Sequence, residues 1–180
     1  MEDEPSRRFT ILDALALVAA VGIGLALTRA YQSSMDSAAA GVAMTYPLSI
    51  RWFGRPAPVL VSLTLTLFVL RLIGPRPRYE RLVGSPGFAA CYAAALGLAI
   101  TALTVVMQFG TNYLHYSRSS LHLHFLMMRS VTFAALSVAG AWLTLGLLGC
   151  WRRERDWVEV SGIVLGFGWL VLLVATQLNF

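Results

Sequence analysis

Residues Val160–Leu178 read VSGIVLGFGWLVLLVATQL and contain no charged side chain. This length matches the roughly 20 apolar residues that a helix needs to cross the hydrocarbon core of a bilayer. Four further apolar runs precede it along the chain, at residues 9–28, 58–73, 88–109 and 125–149. The sequence therefore predicts an all-α integral membrane bundle of about five transmembrane helices, with residues 1–180 forming a single membrane domain.

The composition argues against a water-soluble fold. Of the 180 residues, 57% are hydrophobic and 13% are charged, whereas soluble domains carry about 25% charged residues. All fourteen basic residues are arginine, and the net charge is +5. Most of these arginines stand in short runs beside apolar segments, which indicates contact with anionic lipid headgroups rather than with nucleic acid.

The arginines are unevenly distributed between the two sides of the predicted bundle. With the N-terminus inside, the inner side receives nine of them: Arg7, Arg8, Arg71, Arg76, Arg78, Arg81, Arg152, Arg153 and Arg155. The outer side receives five: Arg29, Arg51, Arg55, Arg118 and Arg129. Because short cytoplasmic loops are enriched in basic residues, this distribution predicts an inside N-terminus and an outside C-terminus.

The number of spans has one alternative. The first apolar run is longer than the 7–15 residues that are usual in a signal peptide, which favours an uncleaved span. The run at 58–73 is the shortest of the five. Four spans would result if the first run were removed or if the short run did not cross the membrane.

Small residues recur within the predicted spans and mark candidate packing positions. A spacing of four residues places them on one face of a helix, where they let two helix backbones approach closely in lipid. The candidates are Gly22, Gly24, Ala93, Gly97, Gly162 and Gly166. They predict a packed bundle and association with a second copy or with another membrane protein.

Three polar residues are candidates for an intramembrane role: Asp13, Gln108 and Arg129. Asp13 lies close to the start of its run, where a carboxylate complements the positive end of the helix dipole and can reach Arg7 or Arg8. Arg129 can extend to the interface, and Gln108 can form hydrogen bonds there. As an alternative, Asp13 and Gln108 would face the polar path of a small transporter or channel component.

Three histidines fall between the third and fourth runs: His115, His122 and His124. Histidine is the commonest metal ligand, so a metal- or haem-binding protein is a further alternative. However, no cysteine or carboxylate stands nearby to complete a ligand set, and we therefore predict no bound metal or cofactor. Cys91 and Cys150 are interpreted as reduced packing residues near the inner side.

No catalytic motif is present in the sequence. We find no phosphate-binding loop, nucleophile elbow or metalloprotease helix, and so we assign no catalytic residue. The leading hypothesis is a non-enzymatic multi-pass membrane protein that acts by helix packing with itself or with a membrane partner.

Three stretches resemble a group of small multi-spanning membrane proteins of planctomycete bacteria. They are Arg8–Ala26, beginning RFTILDALALVAAVGIG, then Leu70–Arg78 (LRLIGPRPR) with Pro86–Cys91 (PGFAAC), and the tryptophan-bearing turn Trp151–Trp157. That group has no assigned function. The resemblance implies a protein of the bacterial cytoplasmic (inner) membrane and implies no particular activity for this chain.

Overall fold

The computed structural model is an all-α bundle, which confirms the predicted fold class. It describes residues 9–41, 55–73, 85–112, 120–150 and 157–178. Within these ranges the chain forms five helices: α1 (Ile11–Gly41), α2 (Ala57–Ile73), α3 (Pro86–Asn112), α4 (Ser120–Leu147) and α5 (Trp157–Gln177).

Four of these helices, α1, α3, α4 and α5, are long and apolar enough to cross a membrane. The exception is α2, whose 17 residues extend about 26 Å at 1.5 Å per residue. That is slightly less than the roughly 30 Å of a typical hydrocarbon core. A five-span arrangement therefore depends on α2.

The first helix is longer than the apolar run that predicts it. Residues 29–41 continue α1 into the segment between the first two apolar runs, where the sequence predicts that Arg29 lies on the outer side. Residues 29–40 are alanine-rich and contain neither glycine nor proline, so nothing in the local sequence ends the helix before Gly41. Hydropathy marks the apolar window of a helix but not the point at which the helix stops.

Successive helices run in opposite directions. The rings of Phe9, just before α1, and Trp157, at the start of α5, meet edge to face at 4.8 Å. Phe68 near the end of α2 lies 6.4 Å from Phe88 at the start of α3. The starts of α1, α3 and α5 therefore share one end of the bundle, called here the Trp157 end. At the opposite, Arg55 end, the Thr28 hydroxyl of α1 donates to the Arg55 carbonyl at 3.1 Å.

The centre of the bundle is apolar and closely packed. Small and branched side chains of α3 and α4 surround the indole of Trp169 on α5, which is fully buried. That indole donates from Nε1 to Thr64 Oγ1 of α2 at 3.1 Å. The hydrogen bond satisfies both polar groups inside the apolar core.

The outward faces of the helices carry large apolar side chains. Examples from each helix are Leu25, Val69, Leu103, Leu143 and Val171, which are between 47% and 66% exposed. A soluble monomer rarely exposes contiguous apolar surface on this scale, whereas lipid solvates it well. The exposed faces thus agree with an apolar bundle of the kind that multi-pass membrane proteins form.

Candidate functional site

The most distinctive buried group is Glu159, in the first turn of α5. Its side chain is 2% exposed. Its carboxylate accepts hydrogen bonds from the backbone N–H groups of Gly87 (2.6 Å to Oε1) and Phe88 (3.3 Å to Oε2). Both N–H groups belong to the first turn of α3, where no carbonyl of the same helix is available to accept them. Glu159 therefore caps α3 from a neighbouring helix.

Local sequence explains why this cap forms at the start of α3. Pro86 is the first helical residue, a position where its missing N–H costs nothing. The next two N–H groups then require an acceptor from elsewhere. A carboxylate suits this place, because it also lies at the positive end of the helix dipole.

Two glycines let the carboxylate reach α3. A Cβ on Gly162 of α5 would lie 2.5 Å from the carbonyl oxygen of Gly87, and a Cβ on Gly87 would collide with the carbonyl of Glu159. Real Cβ atoms are not found this close to backbone atoms. Only glycine fits at both positions, and the two helix backbones touch there.

Residues from two other helices complete this cluster at the Trp157 end. Arg71, in the last turn of α2, interacts electrostatically with Glu159. Trp142 of α4 donates from Nε1 to the Pro86 carbonyl at 2.9 Å. Cys91 of α3 is 4% exposed and is close enough to Glu159 to interact with it electrostatically. We call this site the α3–α5 junction and define it as Pro86, Gly87, Phe88, Glu159 and Gly162. With Arg71 of α2 and Trp142 of α4 beside it, the junction lies where four helices meet.

Glu159 was not among the site residues predicted from the sequence. Its predicted fifth span begins at residue 160, whereas α5 begins at Trp157. The predicted span was bounded at the first charged residue. This bound excluded Glu159, which belongs to the first turn of α5. A usable signal was nevertheless present: Glu159 stands between Val158 and Val160, three residues before a glycine.

Asp13 is also buried, being 2% exposed. It forms a capping box with Thr10: the Thr10 N–H donates to Asp13 Oδ2 at 3.0 Å, and the Asp13 N–H donates to Thr10 Oγ1 at 3.3 Å. This arrangement stabilises the start of α1. Arg7 and Arg8, the predicted partners, lie outside the described residues.

Two of the candidate intramembrane polar residues, Asp13 and Gln108, lie at opposite ends of the bundle. Asp13 is at the Trp157 end, whereas Gln108 is 22 residues beyond Pro86 in α3, or about 33 Å along the helix axis. The side chain of Gln108 lies outside the described part of the chain. Arg129 of α4 is half-buried and places its guanidinium carbon 5.8 Å from the ring centre of Phe133.

Five of the six candidate packing residues lie against other helices. A Cβ on Gly24 would be 2.6 Å from Val59 Cα of α2, and one on Gly97 would be 2.7 Å from the Phe133 carbonyl of α4. Gly162 touches Gly87, as described above. Gly166 lies under the Trp142 indole, and Ala93 is 7% exposed.

Gly22 differs from the other five. It is exposed on the outer face of α1, and no described atom outside its own helix turn lies within 4 Å of the place a Cβ would occupy. The position is therefore open to whatever surrounds the bundle.

Two of the three candidate histidines belong to α4. His122 and His124 lie in the first turns of α4, in a segment that the sequence analysis assigned to a loop. Their side chains and the whole of His115 are outside the described residues. Among the residues that are described, no group of three or more histidine, cysteine, aspartate or glutamate side chains could hold a metal ion.

Comparison with known proteins adds no family assignment. No protein-family model, curated protein or solved structure matches this chain. Its function has to be argued from its own residues.

Proposed function

We propose that the protein is a non-enzymatic membrane protein that acts by lateral helix packing through the exposed face of α1. The partner is a second copy or another membrane protein. One observation carries the proposal: only 17% of the residues in the apolar window of α1 are buried, against 33%, 39% and 33% in those of α3, α4 and α5. The first helix is thus attached to the bundle by one narrow face.

That narrow face packs mainly on α2. It contains Asp13, Ala20, Gly24 and Tyr31, all of which are buried. Their intervals of seven, four and seven residues correspond to whole turns and keep the side chains on one side of a helix. The Gly24 backbone lies against Val59 of α2. The remaining circumference of α1 faces outward.

The outward face of α1 has the composition of a helix-packing surface. Gly22, Ala26 and Ala30 are all exposed and follow one another at intervals of four residues. Below them, Leu15 and Val18 continue the same face with 60% and 69% exposure. Small residues at this spacing allow a second helix to approach closely in lipid, where association depends on van der Waals packing.

The transporter alternative receives less support from the described interior. A transport path needs polar groups along the centre of the bundle, and the centre is filled by apolar residues around Trp169. The two buried acids among the described residues, Asp13 and Glu159, accept hydrogen bonds from backbone N–H groups at helix starts. Helix packing accounts for these features without a lumen.

Disulfide crosslinking in native membranes tests the proposal. In a background with Cys91→Ala and Cys150→Ser, we expect Gly22→Cys and Ala26→Cys to crosslink to a second copy or to a discrete partner band. Leu27→Cys and Val164→Cys are matched controls, since both positions are exposed (48% and 63%). Leu27 points about 100° or more away from Gly22 and Ala26 around the axis of α1, and Val164 lies on α5. Equal crosslinking at all four positions, or none at any, would contradict the proposal.

We further propose that the protein lies in a bacterial cytoplasmic membrane, with its Trp157 end on the cytoplasmic side next to anionic headgroups. The support is the arginine pattern: Arg71 lies at this end, and arginine runs occur in the segments 76–81 and 152–155, which adjoin helix ends located there. Basic residues are retained on the cytoplasmic side. This orientation also requires α2 to cross the membrane.

Thiol labelling of intact spheroplasts tests the orientation. Cys150 is exposed beyond the end of α4, whereas Cys91 is buried. With a membrane-impermeant reagent, we expect native Cys150 to react only after the membrane is opened. In a Cys150→Ser background, Leu178→Cys should react in intact cells, because Leu178 is 80% exposed at the opposite end. Labelling of both positions from the same side would show that α5 does not span the membrane, and the reverse pattern would invert the topology.

A further inference from the structure

We draw no further inference here: the strongest candidate, the buried cluster of Glu159, Arg71 and Cys91 where α2, α3 and α5 meet at the Trp157 end, belongs to the site already described, in which the Glu159 carboxylate accepts hydrogen bonds from the first-turn N–H groups of α3.

Discussion

The α3–α5 junction and helix α1 each combine a buried acid with glycine, yet the two regions use these residues differently. Glu159 accepts hydrogen bonds from Gly87 and Phe88, which lie 72 and 71 residues earlier in the chain. Asp13 forms its capping box with Thr10, three residues away. The first acid joins two helices, whereas the second stabilises the start of its own helix.

The glycines show the same contrast. Gly87 and Gly162 bring two backbones into contact inside the bundle, while Gly22 leaves an open position on the outside. A small residue in a membrane helix can therefore complete the internal fold or leave room for another molecule. The position of the residue on the helix decides between these roles, and the following substitutions test that distinction.

We expect the largest effect from Gly162→Leu. A side chain there would collide with the Gly87 backbone, which cannot move away without separating α3 from α5. Overpacking of this kind costs typically about 1–3 kcal/mol and occasionally more, so we expect a loss of about 3 kcal/mol in the free energy of unfolding, measured in detergent. Gly140→Leu on α4 is the control, because no described atom outside its own helix turn lies within 4 Å of a Cβ there. Equal stability of the two variants would refute the close contact.

A smaller loss is expected for Glu159→Ala. This change leaves the first-turn N–H groups of Gly87 and Phe88 buried without their acceptor, at a cost of about 1–3 kcal/mol. Glu159→Gln should fall between this variant and the native protein, because its amide oxygen still accepts one hydrogen bond. Gln177→Ala removes an exposed polar side chain from the end of α5 and serves as the control. If thermal unfolding in detergent gave the same midpoint for Glu159→Ala and Gln177→Ala, the cap that Glu159 forms on α3 would have no energetic role.

The contrast also shows which parts of the structure could be predicted from sequence. The fold class and the approximate helix positions follow from apolar runs, because the bilayer length sets how long such a run must be. The cap on α3 could not be predicted in this way, because it requires knowing that α3 and α5 begin side by side. That proximity is a long-range result of packing rather than a property of either segment.

In a membrane protein it is equally hard to predict from the sequence which face of a helix is buried. In a soluble protein a helix has a polar face and an apolar face, and the apolar face is the buried one. A helix that is apolar all round offers no such contrast. Gly22 and Gly24 stand two residues apart in the same apolar run, and each has a large aliphatic residue on both sides. Only the packing of α1 on α2 shows that Gly24 faces inward and Gly22 outward.

Gly22→Leu gives the smallest expected change in stability, and its comparison with Gly24→Leu is the most direct test of the two roles. Gly24→Leu would insert a side chain where a Cβ already lies 2.6 Å from Val59 Cα, so it should separate α1 from α2 and lower the unfolding midpoint. Gly22→Leu should leave the free energy of unfolding within about 0.5 kcal/mol of the native value, since the surroundings of Gly22 in the described structure are open. If the outer face of α1 binds another helix, Gly22→Leu should nevertheless reduce the assembled fraction seen by light scattering in a mild detergent. Loss of assembly without loss of stability would separate the outward role of α1 from its inward one. An unchanged assembled fraction in Gly22→Leu would instead mean that lipid alone covers this face.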